Sequence, residues 1–283
     1  MKLGIHQLVW FNTWDETKLD YLDLIKDIGF DAMDLLVRSV PEELIPKIRQ
    51  RAARIGLKLV GISSLPSGWE ILSDDSEQRL QAIEYLKSLV RKTHLVGSDF
   101  YGGVIHSPLG KLVGRPASEV EMNRAMEAMK ILARYAAGFD IDIGIEIVNR
   151  YETYLLNTVD AGLRFIDSVG EDNLGLILDT YHMNVEEKDI VHVMRTAGKK
   201  ILHIHLSEND RGIPGSGHVD WHGLFKLLGE KRYDRVASIE SFSSRIPEIG
   251  GATCLWRKIF DDPKEFAISG CKFCRSLMEK YGA

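Results

Sequence analysis

The chain has 283 residues, 45% of them hydrophobic and 27% charged, with a formal net charge of −5. These proportions are ordinary for a water-soluble globular protein. The acidic balance argues against nucleic acid as a partner, and no apolar run reaches the roughly 20 residues of a membrane span. Three cysteines, Cys254, Cys271 and Cys274, are an odd and sparse set that points to a reducing compartment. MKLGIHQLVW carries no signal-peptide pattern, so the expected location is the cytoplasm.

Strand and helix patterns alternate along the whole chain. Lys2–Val9 reads as a first strand, and Thr17–Ile28 as a helix closed by Gly29. Asp31–Val37 is the second strand and Pro41–Ile55 a helix closed by Gly56. Leu57–Ser63 is the third strand, followed by a long helix, Ser76–Val96, that stops at Gly97. Asp99–His106 is the fourth strand and Ser118–Ala137 a helix ending at Gly138. The β-branched run Ile141–Val148 is the fifth strand, with a helix over 158–169. Leu174–Asp179, Ile201–Leu206 and Arg235–Ser241 complete the strands; helices over 187–197, 221–229 and Pro263–Lys280 alternate with them. Eight strands and eight helices in this order imply successive βαβ units and predict a single (β/α)8 TIM barrel over residues 1–283. An open doubly wound sheet would require a glycine-rich turn after the first strand, and HQLVWFNTW has none.

Barrel enzymes keep their chemistry at the carboxyl ends of the strands. Loops there include WFNTW, SSLPSGWEIL, HSPLGKLVGRP and SENDRGIPGSG, whose aromatics, with Phe242, can wall a pocket: Trp10, Phe11, Trp14 and Trp69. Glu146 sits inside the apolar fifth strand, where a buried carboxylate is costly unless it is paired or binds a metal. It either pairs with a neighbour such as Arg150 or belongs to a site. Three later strands carry ionisable groups at matching places: Asp179 and His182 in LDTYHMN, His203 and His205 in ILHIHLSEND, and Glu240 in ASIESF. Period-two alternation puts His203 and His205 on one face, and only the one nearer the strand end need reach a site. Glu146, Asp179, His205 and Glu240 therefore form a candidate ligand set. Three carboxylates and an imidazole suit Mn²⁺, Co²⁺ or Mg²⁺. The absence of a P-loop or a glycine fingerprint argues against a nucleotide cofactor. Cys271 and Cys274 read as helix packing, and GIPGSG as a plain loop, although its backbone has the makings of an anion nest.

EIVNRYETYLLNT, LDTYHMNVEE, HIHLSENDRGIPGSGHVDWH and IESF together strongly resemble the ketose 3-epimerases, the D-tagatose and D-psicose (allulose) 3-epimerase family of the xylose-isomerase-like barrels. The resemblance is dense over residues 141–242, and GISSLPSGWEILSDD and YGGVIHSPLG also fit it. It implies a divalent metal, Mn²⁺ first, held by Glu146, Asp179, His205 and Glu240, with Glu146 and Glu240 as the two acid/base carboxylates. It also implies substrate contacts by Glu152, His182 and Arg211, with Trp14 and His106 at pocket positions. His6 stands where the family usually has Tyr or Phe, which leaves the ketose preference open. The implied partners are a small free ketose and further copies of the chain, as a dimer or tetramer.

Epimerisation at C3 of a ketose removes a proton beside the C2 carbonyl and returns one to the other face. That requires charge stabilisation at the oxygens and a carboxylate on each side. Rival readings on the same barrel are an aldose–ketose isomerase, a hydroxypyruvate isomerase, an inosose dehydratase and, against the acidic charge, an abasic-site endonuclease.

Overall fold

The computed structural model describes residues 1–243 and 246–283. Eight parallel strands close into a barrel in sequence order. They are β1 (Lys2–His6), β2 (Ala32–Leu36), β3 (Lys58–Ile62), β4 (Phe100–Gly103), β5 (Asp142–Ile147), β6 (Leu174–Asp179), β7 (Ile201–Leu206) and β8 (Val236–Ile239). The helices among the described residues are α1 (Asp20–Ile28), α2 (Ile45–Ile55), α3 (Ser76–Val96), α4 (Glu119–Ala137), α5 (Val159–Val169), α6 (Thr180–Glu186), α7 (Ile190–Ala197), α8 (Trp221–Glu230), α9 (Pro247–Ala252) and α10 (Pro263–Tyr281). None is long and apolar enough to cross a membrane.

Local sequence sets these boundaries. The Asp75 carboxylate accepts from the Glu77 N–H at the start of α3, and Gly97 closes that helix at φ +86°, a left-handed value that favours glycine. Ser118 and Glu121 form a reciprocal capping box on α4. Gly138 ends α4 in right-handed geometry, at φ −66°, and the chain reverses instead at Asp140, at φ +54°. The α6 and α9 segments were not expected from the sequence; seven and six residues are too short for a helical period to show.

Alternation along the strands divides the core in two. Leu3, Ile5, Leu35, Ile143, Ile145, Leu176 and Ile204 belong to the large cluster packed against the helices. Ala32, Val60, Ile62, Phe100, Ile177, Leu202 and Val236 form a smaller cluster inside the barrel. A Cβ on Gly144 would come within 2.5 Å of the Phe100 ring, so the ring fits only beside a glycine. Cys271 and Cys274 are buried without disulfides, as core packing. Register aligns Glu146 with Ile177, Asp179 with His205, and His205 with Ser238. The β6–β7 ladder slips at Leu176/Ile177. Beyond that slip, neighbouring strands bring their polar residues to one level.

Candidate active site

The inward faces of β5 to β8 carry Glu146, Asp179 and His205, and Glu240 follows β8 directly. Ligand-capable atoms of these four all lie within 4.8 Å of one another. All four side chains are buried. His205 Nδ1 is 2.7 Å from Glu146 Oε1 and 3.7 Å from Glu240 Oε1. Arg150 does not neutralise Glu146; it binds Glu186, with Nη2 to Oε2 at 2.7 Å.

Arg211 completes the cluster. Its Nη1 donates to Asp179 Oδ2 at 2.7 Å, Glu240 Oε2 at 2.6 Å and Ser207 Oγ at 2.9 Å. The guanidinium lies 4.0 Å from the Tyr181 ring centre and 4.8 Å from that of Phe242, a stacking geometry that favours Arg over Lys. Arg211 has φ +65°, which strains a residue with a Cβ. Two hydrogen bonds hold it there, from its own N–H to Glu208 O at 2.9 Å and from Ser241 Oγ to its carbonyl at 2.6 Å.

Burial works against charge on His205, but Glu240, Glu146 and Asp34 outweigh it and raise its pKa well above 6.5. Three carboxylates against His205 and the Arg211 guanidinium still leave the buried cluster with an excess of negative charge. Burial raises the Glu146 carboxyl, and the charges of Glu240 and Asp179 add to that, against the pull of His205. Burial acts the same way on Glu240, but His205, Arg211 and His6 outweigh it and hold Glu240 down at about 2. The two glutamates are thus driven apart by their surroundings. Burial also raises Asp179, partly offset by Arg211. This buried donor set fits a divalent cation, which would offset the excess negative charge and take hard oxygens with one imidazole.

The cavity above is lined by His6, Glu146, Glu152, His182, Arg211, Glu240 and Phe242 among the expected residues. Asp179 and His205 are buried beneath it. Asn149 N–H donates to His182 Nδ1 at 3.2 Å, so in neutral His182 the proton resides on Nε2. That Nε2–H lies 3.2 Å from Arg211 Nη2, two donors side by side. Burial lowers the His182 pKa to about 3, which keeps the ring neutral. Glu152 is the more open carboxylate, its side chain 35% exposed, and burial still raises it to about 7. His6 accepts from Leu8 N–H through Nδ1 at 3.1 Å and turns Nε2 toward Glu240 Oε1, 3.9 Å away.

Trp14 and His106 do not line this cavity. Trp14 is buried against Phe11, with its indole N–H on Gln7 Oε1 at 2.8 Å. His106 is fully buried, with neither ring nitrogen hydrogen-bonded among the described residues. Trp10 packs on Tyr21 and Trp69 on Tyr85, so of the five expected aromatics only Phe242 reaches the cavity. Tyr181, Arg38, Ser63 and Ser64 line it and were not singled out from the sequence. Tyr181 was within reach, since it lies between Asp179 and His182; LVRS offered no signal. The GIPGSG loop receives an anion of its own. Glu208 accepts from Gly215 N–H at 2.9 Å, Val219 N–H at 3.1 Å and Trp221 Nε1–H at 2.7 Å.

Residues 22–276 match the family model described as a xylose isomerase-like TIM barrel. A probable ketose 3-epimerase of Synechocystis sp. is 30% identical over 99% of this chain and 97% of its own length. An L-ribulose 3-epimerase of Mesorhizobium japonicum is 32% identical, covering 92% of this chain and 89% of that protein. The structure of a D-allulose 3-epimerase from Methylomonas sp. in complex with D-allulose superposes with a TM-score of 0.91 at 30% identity, over 98% of this chain and 97% of that one. With its barrel matched over almost its whole length and its relatives aligned nearly end to end, the chain belongs to the xylose isomerase-like TIM barrel family and is an enzyme of its ketose 3-epimerase group.

Proposed function

We propose that the enzyme epimerises free ketoses at C3, of the D-psicose/D-fructose, D-tagatose/D-sorbose or L-ribulose type. One observation carries the reading: two buried glutamates, from β5 and from the end of β8, share one cluster while their surroundings push their proton affinities in opposite directions. Relatives named for D-psicose and L-ribulose point to the same substrate class.

Glu146, Asp179, His205 and Glu240 are the residues that would hold a divalent ion, Mn²⁺ before Co²⁺ or Mg²⁺. When bound, the ion would polarise the C2 carbonyl and offset the charge that develops on the substrate oxygens. Glu146 and Glu240 serve as the acid/base pair. One takes the C3 proton, the electron pair moves into the C2 carbonyl to give a cis-enediolate, and the other returns a proton to C3 from the opposite face. Arg211 Nη2 and His182 Nε2–H, two adjacent donors with neutral His182, are suited to the substrate's O1 and O2. Glu152, open to the cavity, orients a sugar hydroxyl or His182. His6 and Phe242 wall the cavity beside Glu240 and Arg211. A free sugar is favoured over a phosphorylated one, because N–H groups of the 212–217 loop that a phosphate would use are already taken: Gly215 donates to Glu208, Gly212 to Asp210 Oδ1 and Ser216 to the Ile213 carbonyl.

The test is to incubate Mn²⁺-loaded protein with D-fructose, D-tagatose and L-ribulose in D₂O and follow the products by NMR. The C3 epimer with deuterium at C3 is the expected result. An aldose with deuterium at C2 would instead identify an aldose–ketose isomerase.

A further inference from the structure

Beneath the carboxylate cluster lies a second set of buried polar groups that this chemistry leaves unused. Asp34 on β2 and Ser238 on β8 are 0% exposed, and His203 on β7 is 1% exposed. Ser238 Oγ donates to Asp34 Oδ1 at 2.6 Å, and Asp34 Oδ2 lies 3.0 Å from His203 Nε2. The same Asp34 oxygen is 3.4 Å from His205 Nε2. An inward position beside Ala32 would ordinarily hold an apolar side chain. An ionised carboxylate there is costly to desolvate, so its placement calls for a role.

His205 spans the two layers. Its Nδ1 faces Glu146 and Glu240, and its Nε2 faces Asp34. An imidazole can serve a cation among those carboxylates only if the Nδ1 lone pair is free, so the ring proton must sit on Nε2. That nitrogen has no hydrogen bond among the described residues, and the Asp34 carboxylate is the acceptor set against it.

We propose that Asp34 is a positioning residue for the metal site: its carboxylate holds the proton of His205 on Nε2 and thereby presents Nδ1 to the ion, while Ser238 and His203 fix the orientation of Asp34. The role rests on the metal site of the proposed function. It gives the buried layer a task that acts through His205, without contact between Asp34 and the substrate. It also accounts for two histidines one pleat apart on β7, one presented to the ion and one bracing the group behind it.

The test compares Mn²⁺ affinity, by electron paramagnetic resonance titration, in the wild-type protein, Asp34→Asn and His203→Gln. Asp34→Asn preserves size but removes the charge that favours the Nε2–H form. Its Mn²⁺ affinity is expected to fall about 10- to 100-fold, and His203→Gln, which leaves the acceptor for His205 in place, to cost far less. Equal losses in the two variants would reduce the layer to a structural element and overturn the proposal, as would unchanged affinity in Asp34→Asn. A second readout needs no variant: nitrogen NMR of ¹⁵N-histidine-labelled, Mg²⁺-loaded wild-type protein should show His205 protonated on Nε2. Protonation on Nδ1 would overturn the role of Asp34 even if Asp34→Asn does not fold. Wild-type protein that binds no Mn²⁺ defeats the metal-site reading itself, whereas tight wild-type binding with unaffected Asp34→Asn defeats only the assignment of Asp34.

Discussion

Glu208→Gln tests how the loop behind Arg211 is held. The Glu208 side chain is fully buried. Oε2 accepts from Trp221 Nε1–H at 2.7 Å and Gly215 N–H at 2.9 Å; Oε1 accepts from Val219 N–H at 3.1 Å and Asn209 N–H at 3.2 Å. Trp221 and Val219 are both buried, and they approach different oxygens. A glutamine must turn its NH₂ toward one of them, so either orientation leaves one buried donor unpaired, at about 1–3 kcal/mol. Loss of charge assistance at the retained bonds adds about 1 kcal/mol. The expected destabilisation is about 3 kcal/mol. With an unfolding entropy of about 0.6 kcal/mol/K for 283 residues, that lowers Tm by about 5 °C. The assay is a far-UV circular dichroism melt of metal-free wild-type and variant protein at equal concentration. Because Arg211 N–H binds the Glu208 carbonyl rather than its side chain, Mn²⁺ affinity should change little. A Tm shift below about 1 °C would refute the claim that the carboxylate pins this loop.

Three further outcomes are expected. Chelation should abolish activity and Mn²⁺ or Co²⁺ should restore it; full activity in metal-stripped protein would remove the metal from the reaction. Glu146→Gln and Glu240→Gln should each lower net epimerisation severely, and in variants shown to retain metal, C3 deuterium exchange should survive from one epimer only, the surviving epimer switching between the two. If one variant abolishes exchange from both epimers and the other from neither, a single base does all the proton transfer. Burial lowers His106 from 6.5 to about 4, so the folded state resists protonation there. Its contribution is intact above pH 6.5 and is lost as pH falls toward 4, reaching about 2 kcal/mol by pH 5. His106→Phe should remove that share of the drop in urea-unfolding free energy between pH 8 and 5, and an unchanged pH dependence would contradict it.

Much of this was legible in the sequence, for identifiable reasons. The β6 and β7 strands and α3 have the boundaries read from the chain, because apolar runs end at polar or glycine residues there. Other strands are shorter than their sequence patterns predict. Lys2–Val9 stops at His6, whose ring accepts the Leu8 N–H and turns the chain into a short 3-10 segment. Asp99–His106 stops at Gly103, which takes φ +130° hard against Ser63. The grouping of Glu146, Asp179, His205 and Glu240 could be anticipated because adjacent strands repeat one pattern in register. Asp34 could not: it meets His203 across 169 residues, and a lone Asp in an apolar strand does not announce its partner. Trp14 looked like a pocket residue, but an indole satisfied by Gln7 packs as core.

The most direct test of the central claim is where deuterium enters the sugar. Mn²⁺-loaded enzyme incubated in D₂O with D-fructose, D-tagatose or L-ribulose should yield the C3 epimer of at least one of them, carrying deuterium at C3 and none at C1. An aldose product with deuterium at C2, or conversion of none of the three in protein that holds its metal, would contradict C3 epimerisation by Glu146 and Glu240.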